Sequence, residues 1–192
     1  MEAVDDPGLD VPRRGRTALV SAAVVAVVAV GLIGFLATRS QGSERTAASP
    51  VVGQVAPAVS GTDLDGAPFD IDRQRGRWVV VNFFATWCVP CIEEHPELVE
   101  FSSRQGPGHD ATVVSVVVET PEAEAREFFA REGGDWPVVL DPEGRTALEY
   151  GMVKVPETFV VAPDGTVVAR LLGGITADQL DAVIDRVTRG AS

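Results

Sequence analysis

The sequence has few of the residues that bind metal ions, with two cysteines and two histidines among 192 residues. A structural zinc site takes about four such ligands, so both cysteines, His95 and His109 would have to converge on one ion. Basic residues are also scarce, since Lys154 is the single lysine and the net charge is −12. Nucleic-acid binding requires a basic surface. The composition therefore predicts no metal site and no nucleic-acid partner, and is typical of a well-solvated acidic domain.

One segment, at 17–38, contains no charged residue and reads "TALVSAAVVAVVAVGLIGFLAT". As a helix it would span roughly 33 Å, which is enough to cross a hydrocarbon core of about 30 Å. Arg13, Arg14 and Arg16 precede it. The positive-inside rule then places residues 1–16 in the cytoplasm and the rest of the chain outside.

A cleaved signal peptide is the alternative interpretation of this segment. Signal peptides have a shorter apolar core, about 7–15 residues, that ends in a small-x-small site, whereas "GFLATRS" offers no Ala-x-Ala. No cysteine follows, which excludes a lipoprotein anchor. We therefore expect a single-pass protein of the cell membrane, with a cytoplasmic N-terminus (1–16), an uncleaved anchor (17–38), a flexible tether (39–50) and an extracytoplasmic domain (51–192).

The remaining sequence alternates between strand and helix patterns. The β-branched and aromatic runs at 77–86 and 111–120 predict strands buried on both faces. Thr120 and Pro121 are the expected N-cap and first residue of a helix. The other predicted elements are helices at 89–103, 146–150 and 176–189, and a hairpin that turns at residues 163–165. Such alternation predicts an α/β domain with a central mixed β-sheet flanked by helices.

The two cysteines, Cys88 and Cys91, are three residues apart, at the junction of a predicted strand and a predicted helix. At a helix N-terminus the unpaired N–H groups and the helix dipole stabilise a thiolate, and the pKa of such a cysteine can fall from about 8.5 to roughly 3.5–7.5. Cys91, one turn further on, could attack a mixed disulfide formed at an exposed Cys88. A purely structural disulfide is the alternative, but its short loop would constrain little of the unfolded chain. The pair therefore indicates thiol–disulfide exchange.

Three sequence stretches carry a resemblance to a known family. "VVVNFFATWCVPC" resembles the active-site strand and motif of thioredoxin-fold proteins, and Pro96 matches the proline that kinks their first long helix. "VGQVAPAVSGTDLDGAPFDI" and "YGMVKVPETFVVAPDGTVVARLLGG" are similar to the TlpA/ResA/CcmG (DsbE) group of bacterial, membrane-anchored thiol–disulfide oxidoreductases. The resemblance covers residues 51–189. It implies a thioredoxin-like fold and a redox-active disulfide, Cys88–Cys91, with no other cofactor.

The resemblance also assigns expected roles to individual residues. Cys88 is the nucleophile, Cys91 the resolving thiol and Trp87 the aromatic residue that shields them. Pro156 resembles the cis-proline that faces the disulfide, which leaves the backbone of Val155 free to pair with an extended substrate. An ordinary trans turn proline is the alternative at this position.

Glu94 is the expected general acid/base of the site. Asn82 occupies the place of the buried aspartate of thioredoxin and cannot transfer a proton, whereas ResA- and CcmG-like proteins have a glutamate three residues after the second cysteine. Partial burial would raise the pKa of this carboxyl; the alternative is a solvated helix glutamate. We interpret His95 as a structural or surface residue. Lys154 stands where the CcmG pattern commonly has glycine, and a lysine there could favour the Cys88 thiolate and make the pair more oxidising.

These features predict an enzyme that exchanges thiols and disulfides with exported proteins. The resemblance favours a reductase in cytochrome c maturation, which acts on apocytochrome c cysteines and exchanges electrons with a membrane thiol-transfer protein. A DsbA-like oxidase that introduces disulfides into exported proteins is the alternative. A peroxidase and a redox-inert binding module are further alternatives, which a peroxide assay and a Cys88→Ser variant would test.

Overall fold

The computed structural model describes residues 49–105 and 110–190, together with positions 25, 27, 28 and 31, which are helical. The cytoplasmic segment predicted at 1–16, and nearly all of the anchor and tether predicted at 17–50, lie outside the described residues. Among the residues that are described, no helix is long and apolar enough to cross a membrane.

The domain is built from strands and helices that alternate along the chain. In chain order the elements are β1 (Ser60–Thr62), β2 (Pro68–Asp70), a 3-10 helix (Ile71–Gln74), β3 (Trp78–Phe84), α1 (Val89–Arg104), β4 (Ala111–Val117), α2 (Glu122–Glu132), β5 (Val138–Leu140), α3 (Arg145–Glu149), β6 (Glu157–Val161), β7 (Val167–Leu172) and α4 (Ala177–Gly190). The predicted strands, helices and C-terminal hairpin are present, with ends that differ by a few residues.

The central sheet has five strands in the order β5-β4-β3-β6-β7. β3 is parallel to β4 and antiparallel to β6, so the sheet is mixed as predicted. β1 and β2 form a separate antiparallel pair. Because β3 lies in the middle of the sheet, the residues that follow its carboxyl end are held between neighbours on both sides.

The two faces of β3 have different surroundings. Asn82 and Phe84 lie on one face, where Asn82 contacts Glu94 of α1 and Phe84 packs against Phe128 of α2. Phe83 lies on the opposite face, with its ring centroid 5.4 Å from that of Tyr150, which follows α3. Apart from Asn82, the sequence of β3 is apolar, as expected of a strand with both faces covered.

The predicted start of α2 differs from the structure by one residue. Thr120 is not the N-cap and Pro121 is not the first helical residue, because α2 begins at Glu122 with Pro121 as its N-cap and without a side-chain cap hydrogen bond. The Thr120 hydroxyl instead donates to the carbonyl of Val118 and accepts from the amide of Thr86, 3.2 Å away. Thr120 therefore ties the loop after β4 to the residues that precede the cysteines.

Candidate active site

Cys88 is the N-cap of α1, where strand β3 has ended and the helix begins. Its backbone is extended (φ −87°, ψ 102°), and its Sγ accepts a hydrogen bond from the amide of Cys91, 3.3 Å away. The two Sγ atoms are joined in a disulfide with an S–S distance of 2.11 Å. Pro90 lies in the first turn of the helix, where a missing N–H leaves no hydrogen bond unmade. The predicted position of the pair at a helix N-terminus is confirmed.

The exposure of Cys88 differs from the expectation. In this disulfide-bonded state Cys88 is only 4% exposed and Cys91 is fully buried. The sulfur of Cys88 is bonded to that of the fully buried Cys91. The neighbours on either side, Trp87 and Val89, are 58% and 61% exposed. Exposed apolar residues thus flank the slightly more accessible of the two cysteines.

Trp87 is held by the loop that follows β4. Its indole Nε1 donates to the carbonyl oxygen of Glu119 at 3.0 Å. Glu119 has a φ of 46°, in the left-handed region that a non-glycine residue adopts at a cost. Sequence reasoning missed Glu119, because nothing in a single sequence marks a glutamate for positive φ.

The peptide bond between Val155 and Pro156 is cis, as the resemblance implies, so the trans alternative is wrong. A cavity of about 470 Å³ lies between Trp87 and the segment at 152–155, and the residues at 118–119 and 141–144 complete its walls. Val153, at the rim, is 79% exposed. The predicted substrate-binding residues Trp87 and Val155 therefore line one common groove.

Glu94 lies on the buried side of α1, one turn after Cys91 and only 2% exposed. Its Oε1 accepts from Asn82 Nδ2 at 2.7 Å, and its Oε2 accepts from the amide of Ile175 at 3.2 Å. Desolvation by burial raises the pKa of Glu94 from 4.5 to about 7, although these two hydrogen bonds act in the opposite direction. The alternative of a solvated helix glutamate is wrong. Residues three apart on a helix share a face, so Glu94 is placed on the side of α1 that carries Cys91.

His95 is buried, not a surface residue. Its Nε2 lies 2.9 Å from the carbonyl oxygen of Gly133, and its ring packs among aromatic rings, namely those of Phe84, Phe128, Phe129 and Trp136. Burial lowers the pKa of His95. These contacts give His95 a structural position in the core between α1 and α2.

A second polar network, which sequence reasoning did not predict, lies on the face of the sheet opposite Glu94. Glu157 and Arg170 are both buried and form an ion pair with an N–O distance of 2.8 Å. Glu157 is the acidic residue of the Pro-Glu-Thr-Phe sequence, and its partner, 13 residues away, is determined by the register of β6 against β7. Among the described residues, no group of three or more histidines, cysteines and acidic residues could hold a metal ion.

The family model described as Redoxin matches residues 51–184. The chain belongs to the Redoxin family. It is 35% identical over 147 residues to the thiol:disulfide interchange protein HelX of Rhodobacter capsulatus, an alignment that covers 74% of this chain and 80% of HelX.

Two other similar proteins extend the match. The thiol-disulfide oxidoreductase ResA of Bacillus thuringiensis is 26% identical over 165 residues, which cover 86% of this chain and 94% of ResA. A crystal structure of a thiol:disulfide interchange protein of the thioredoxin family from Chlorobium tepidum superimposes with a TM-score of 0.63 at 27% identity, covering 73% of this chain and 98% of that one. This Redoxin-family chain therefore has a thioredoxin-like α/β fold and, with its Cys88–Cys91 pair, is a thiol–disulfide oxidoreductase.

Proposed function

We propose that this oxidoreductase is an extracytoplasmic, membrane-anchored reductase that keeps the haem-binding cysteines of apocytochrome c as thiols. In this proposal residues 17–38 anchor the chain, residues 1–16 are cytoplasmic, and the domain at 51–192 lies outside. A membrane thiol-transfer protein supplies the electrons. The relatives HelX and ResA, and the motif resemblance to the TlpA/ResA/CcmG group, support this assignment.

The first step transfers electrons from Cys88. Its thiolate attacks one sulfur of the substrate disulfide, an S–S bond forms between Cys88 and the substrate, and the substrate's other sulfur leaves as a thiolate. The N–H groups of the first turn of α1, among them that of Cys91, lie where they stabilise the attacking thiolate. The substrate lies in the groove between Trp87 and Val155, with its backbone along that of Val155.

The second step releases the substrate. The observation that supports this step is the position of Glu94, on the side of α1 that carries Cys91. The carboxylate of Glu94 accepts the proton of the Cys91 thiol, and the resulting thiolate attacks Cys88. The Cys88–Cys91 disulfide forms and the second substrate thiolate leaves, so two electrons have passed from the enzyme to the substrate. A carboxyl with a pKa of about 7 is suited to this transfer, because it is close to neutral pH. The partner dithiol then reduces the enzyme disulfide and restores the cycle.

A Cys91→Ser variant tests this mechanism. Without the resolving thiol, the mixed disulfide on Cys88 cannot be released by Cys91, so covalent adducts with exported proteins should accumulate. A Cys88→Ser variant is the matched control, because it removes the nucleophile and should form none. Adducts that include apocytochrome c are the expected result. Recovery of no exported protein with the Cys91→Ser variant would contradict the exchange mechanism.

An oxidase that introduces disulfides is the second candidate, and one observation favours it. Lys154, the only lysine of the chain, lines the same groove as Trp87, the residue that precedes Cys88. A cation near the nucleophile stabilises a thiolate, and a stabilised reduced form makes the disulfide a stronger oxidant. Equilibrium with glutathione distinguishes the two candidates, because a reductase and an oxidase of this kind differ by about 100 mV.

A further inference from the structure

We propose that the buried ion pair of Glu157 and Arg170 is a positioning device that fixes the segment at 151–155 as the wall of the groove on which polypeptide substrates dock. It acts through the backbone of that segment and not on the reacting sulfurs. The inference rests on the proposed function in one respect, namely that the substrate lies along Val155.

The ion pair is buried in the fold. Glu157 has no exposed surface and Arg170 is 7% exposed. Arg170 donates from Nε and Nη2 to Glu157 Oε2 at 3.0 and 2.8 Å, and its guanidinium carbon lies 5.8 Å from the ring centroid of Phe159. Apolar residues of similar volume often stabilise a core as well as or better than a buried ion pair. Two buried charges in this place therefore point to a role beyond stability.

Both members of the pair also form hydrogen bonds to the backbone of the segment next to the groove. Glu157 Oε1 accepts from the amides of Val153 and Lys154, at 3.1 and 3.2 Å. Arg170 Nη2 donates to the carbonyl oxygen of Gly151 at 3.3 Å. Three backbone groups within four consecutive residues are thus attached to one ion pair.

Two residues of this segment, Val153 and Lys154, are exposed, whereas Met152 and Val155 pack against the core. The Val153 side chain is 79% exposed, so its side-chain packing contributes little to its position. Bonds to charged groups are stronger than those between neutral groups, and each of these backbone bonds has one charged partner, a carboxylate or a guanidinium. Loss of the pair would leave the exposed part of the groove wall free to shift while the two cysteines, at the N-terminus of α1, keep their own geometry.

The place of Glu157 in the sheet connects this device to the chemistry. In the pairing of β6 with β3, Glu157 is the partner of Phe83, so its side chain lies on the face of the sheet away from α1. The next residue, Thr158, turns to the other face, where its Oγ1 accepts from Asn82 Nδ2, the same nitrogen that donates to Glu94. Two consecutive residues of β6 thus support the groove wall on one face of the sheet and the proposed proton acceptor on the other.

The test compares two disulfides that differ in their need for the groove. The reduced full-length chain is reacted with a disulfide-bonded peptide of about 15 residues that contains a Cys-x-x-Cys pair, and separately with the small reagent dithiobisnitrobenzoate. The variants are Arg170→Met and Glu157→Gln. Arg77→Met is the matched control, because it removes a guanidinium from an exposed ion pair with Asp110, at the far end of β3 from the cysteines.

Both ion-pair variants should lose about tenfold or more in second-order rate with the peptide, since a misplacement of about 1 Å can cost about 100-fold in a positioned reaction. Their rates with the small reagent, and both rates of Arg77→Met, should stay within about twofold of the unaltered chain. Equal losses with both disulfides, or no loss with the peptide, would overturn the proposal. If the unaltered chain reduces the small reagent but not the peptide, the proposed function fails first, and this inference fails with it.

Amide hydrogen exchange on the unaltered protein tests the same device without substitutions, in case the variants do not fold. The amides of Val153 and Lys154 should be protected although their segment is exposed at the surface, because Glu157 accepts from both. Exchange at the rate of an unprotected peptide at both amides would overturn the proposal.

Discussion

Replacement of Glu94 by glutamine should remove a pH dependence that burial of this carboxyl builds into the stability of the domain. Burial raises the pKa of Glu94 from 4.5 to about 7. One pKa unit corresponds to about 1.4 kcal/mol, so the shift represents about 3 kcal/mol of preference for the protonated form in the folded state. The carboxyl is 2% exposed, so solvent screening reduces this value little.

The sign follows from the direction of the shift. Because the folded pKa is above the unfolded one, the folded state binds more protons between pH 4.5 and about 7. The stability linked to Glu94 is therefore fully present below pH 4.5 and is lost as the pH rises through about 7. A glutamine at this position does not ionise. The difference in free energy of unfolding between the Glu94→Gln variant and the unaltered protein should move by about 3 kcal/mol in favour of the variant from pH 4.5 to pH 8.

Urea denaturation of the disulfide-bonded protein, followed at intervals between pH 4 and pH 8, measures this difference. Glu93→Gln, at an exposed neighbouring position, is the matched control for the loss of one carboxylate from α1. Glutamine should be tolerated at position 94, because Asn82 Oδ1 has no hydrogen-bond partner among the described residues and could accept from the new amide after rotation. A difference that changes by less than about 1 kcal/mol across this range would refute the assigned pKa.

The same variant has a kinetic consequence. If Glu94 accepts the proton of Cys91, its removal should slow the release of a mixed disulfide from Cys88 by about 100-fold or more, as is typical for loss of a general base. Formation of the mixed disulfide should be much less affected. Stopped-flow measurement of the two steps would check this, and equal slowing of both would contradict the assigned role.

Four further substitutions test local features of the fold. Glu119→Gly should raise the free energy of unfolding by up to about 1 kcal/mol in urea denaturation, since glycine adopts the observed φ of 46° without strain; a loss of stability would contradict this. Burial lowers the pKa of His95, so the stability it contributes should be present above about pH 6.5 and lost as the pH falls. A His95→Leu variant whose free energy of unfolding falls as much on acidification as that of the unaltered protein would contradict this. Leu98→Ala, at a fully buried position, should cost about 3–5 kcal/mol, and calorimetry should show Leu148→Ala, at a position 79% exposed, within about 0.5 kcal/mol of the unaltered protein.

The central strand and the cysteine helix could be predicted from the sequence because their signals are local. The apolar run of β3 and the two cysteines followed by a helical pattern each lie within 20 residues. By contrast, β5 (Val138–Leu140) was missed because a strand of three residues has no periodicity to detect. The β1–β2 pair was missed for the same reason.

The parts of the site that depend on tertiary contacts could not be predicted from the pattern. The burial of Glu94 depends on its contacts with Asn82 on β3 and Ile175 before α4, and only the family resemblance selected it over its neighbours. The pairing of Glu157 with Arg170 is a consequence of the β6–β7 register. No local signal encodes either contact.

The reduction potential of the Cys88–Cys91 disulfide tests the central proposal most directly. The full-length chain is equilibrated with defined ratios of reduced and oxidised glutathione, and the two cysteines are then trapped by alkylation. The reductase proposal predicts a potential near or below about −220 mV, in the range of thioredoxin and the glutaredoxins. A potential near about −120 mV, like that of DsbA, would contradict it and would assign the chain to the oxidation of exported proteins.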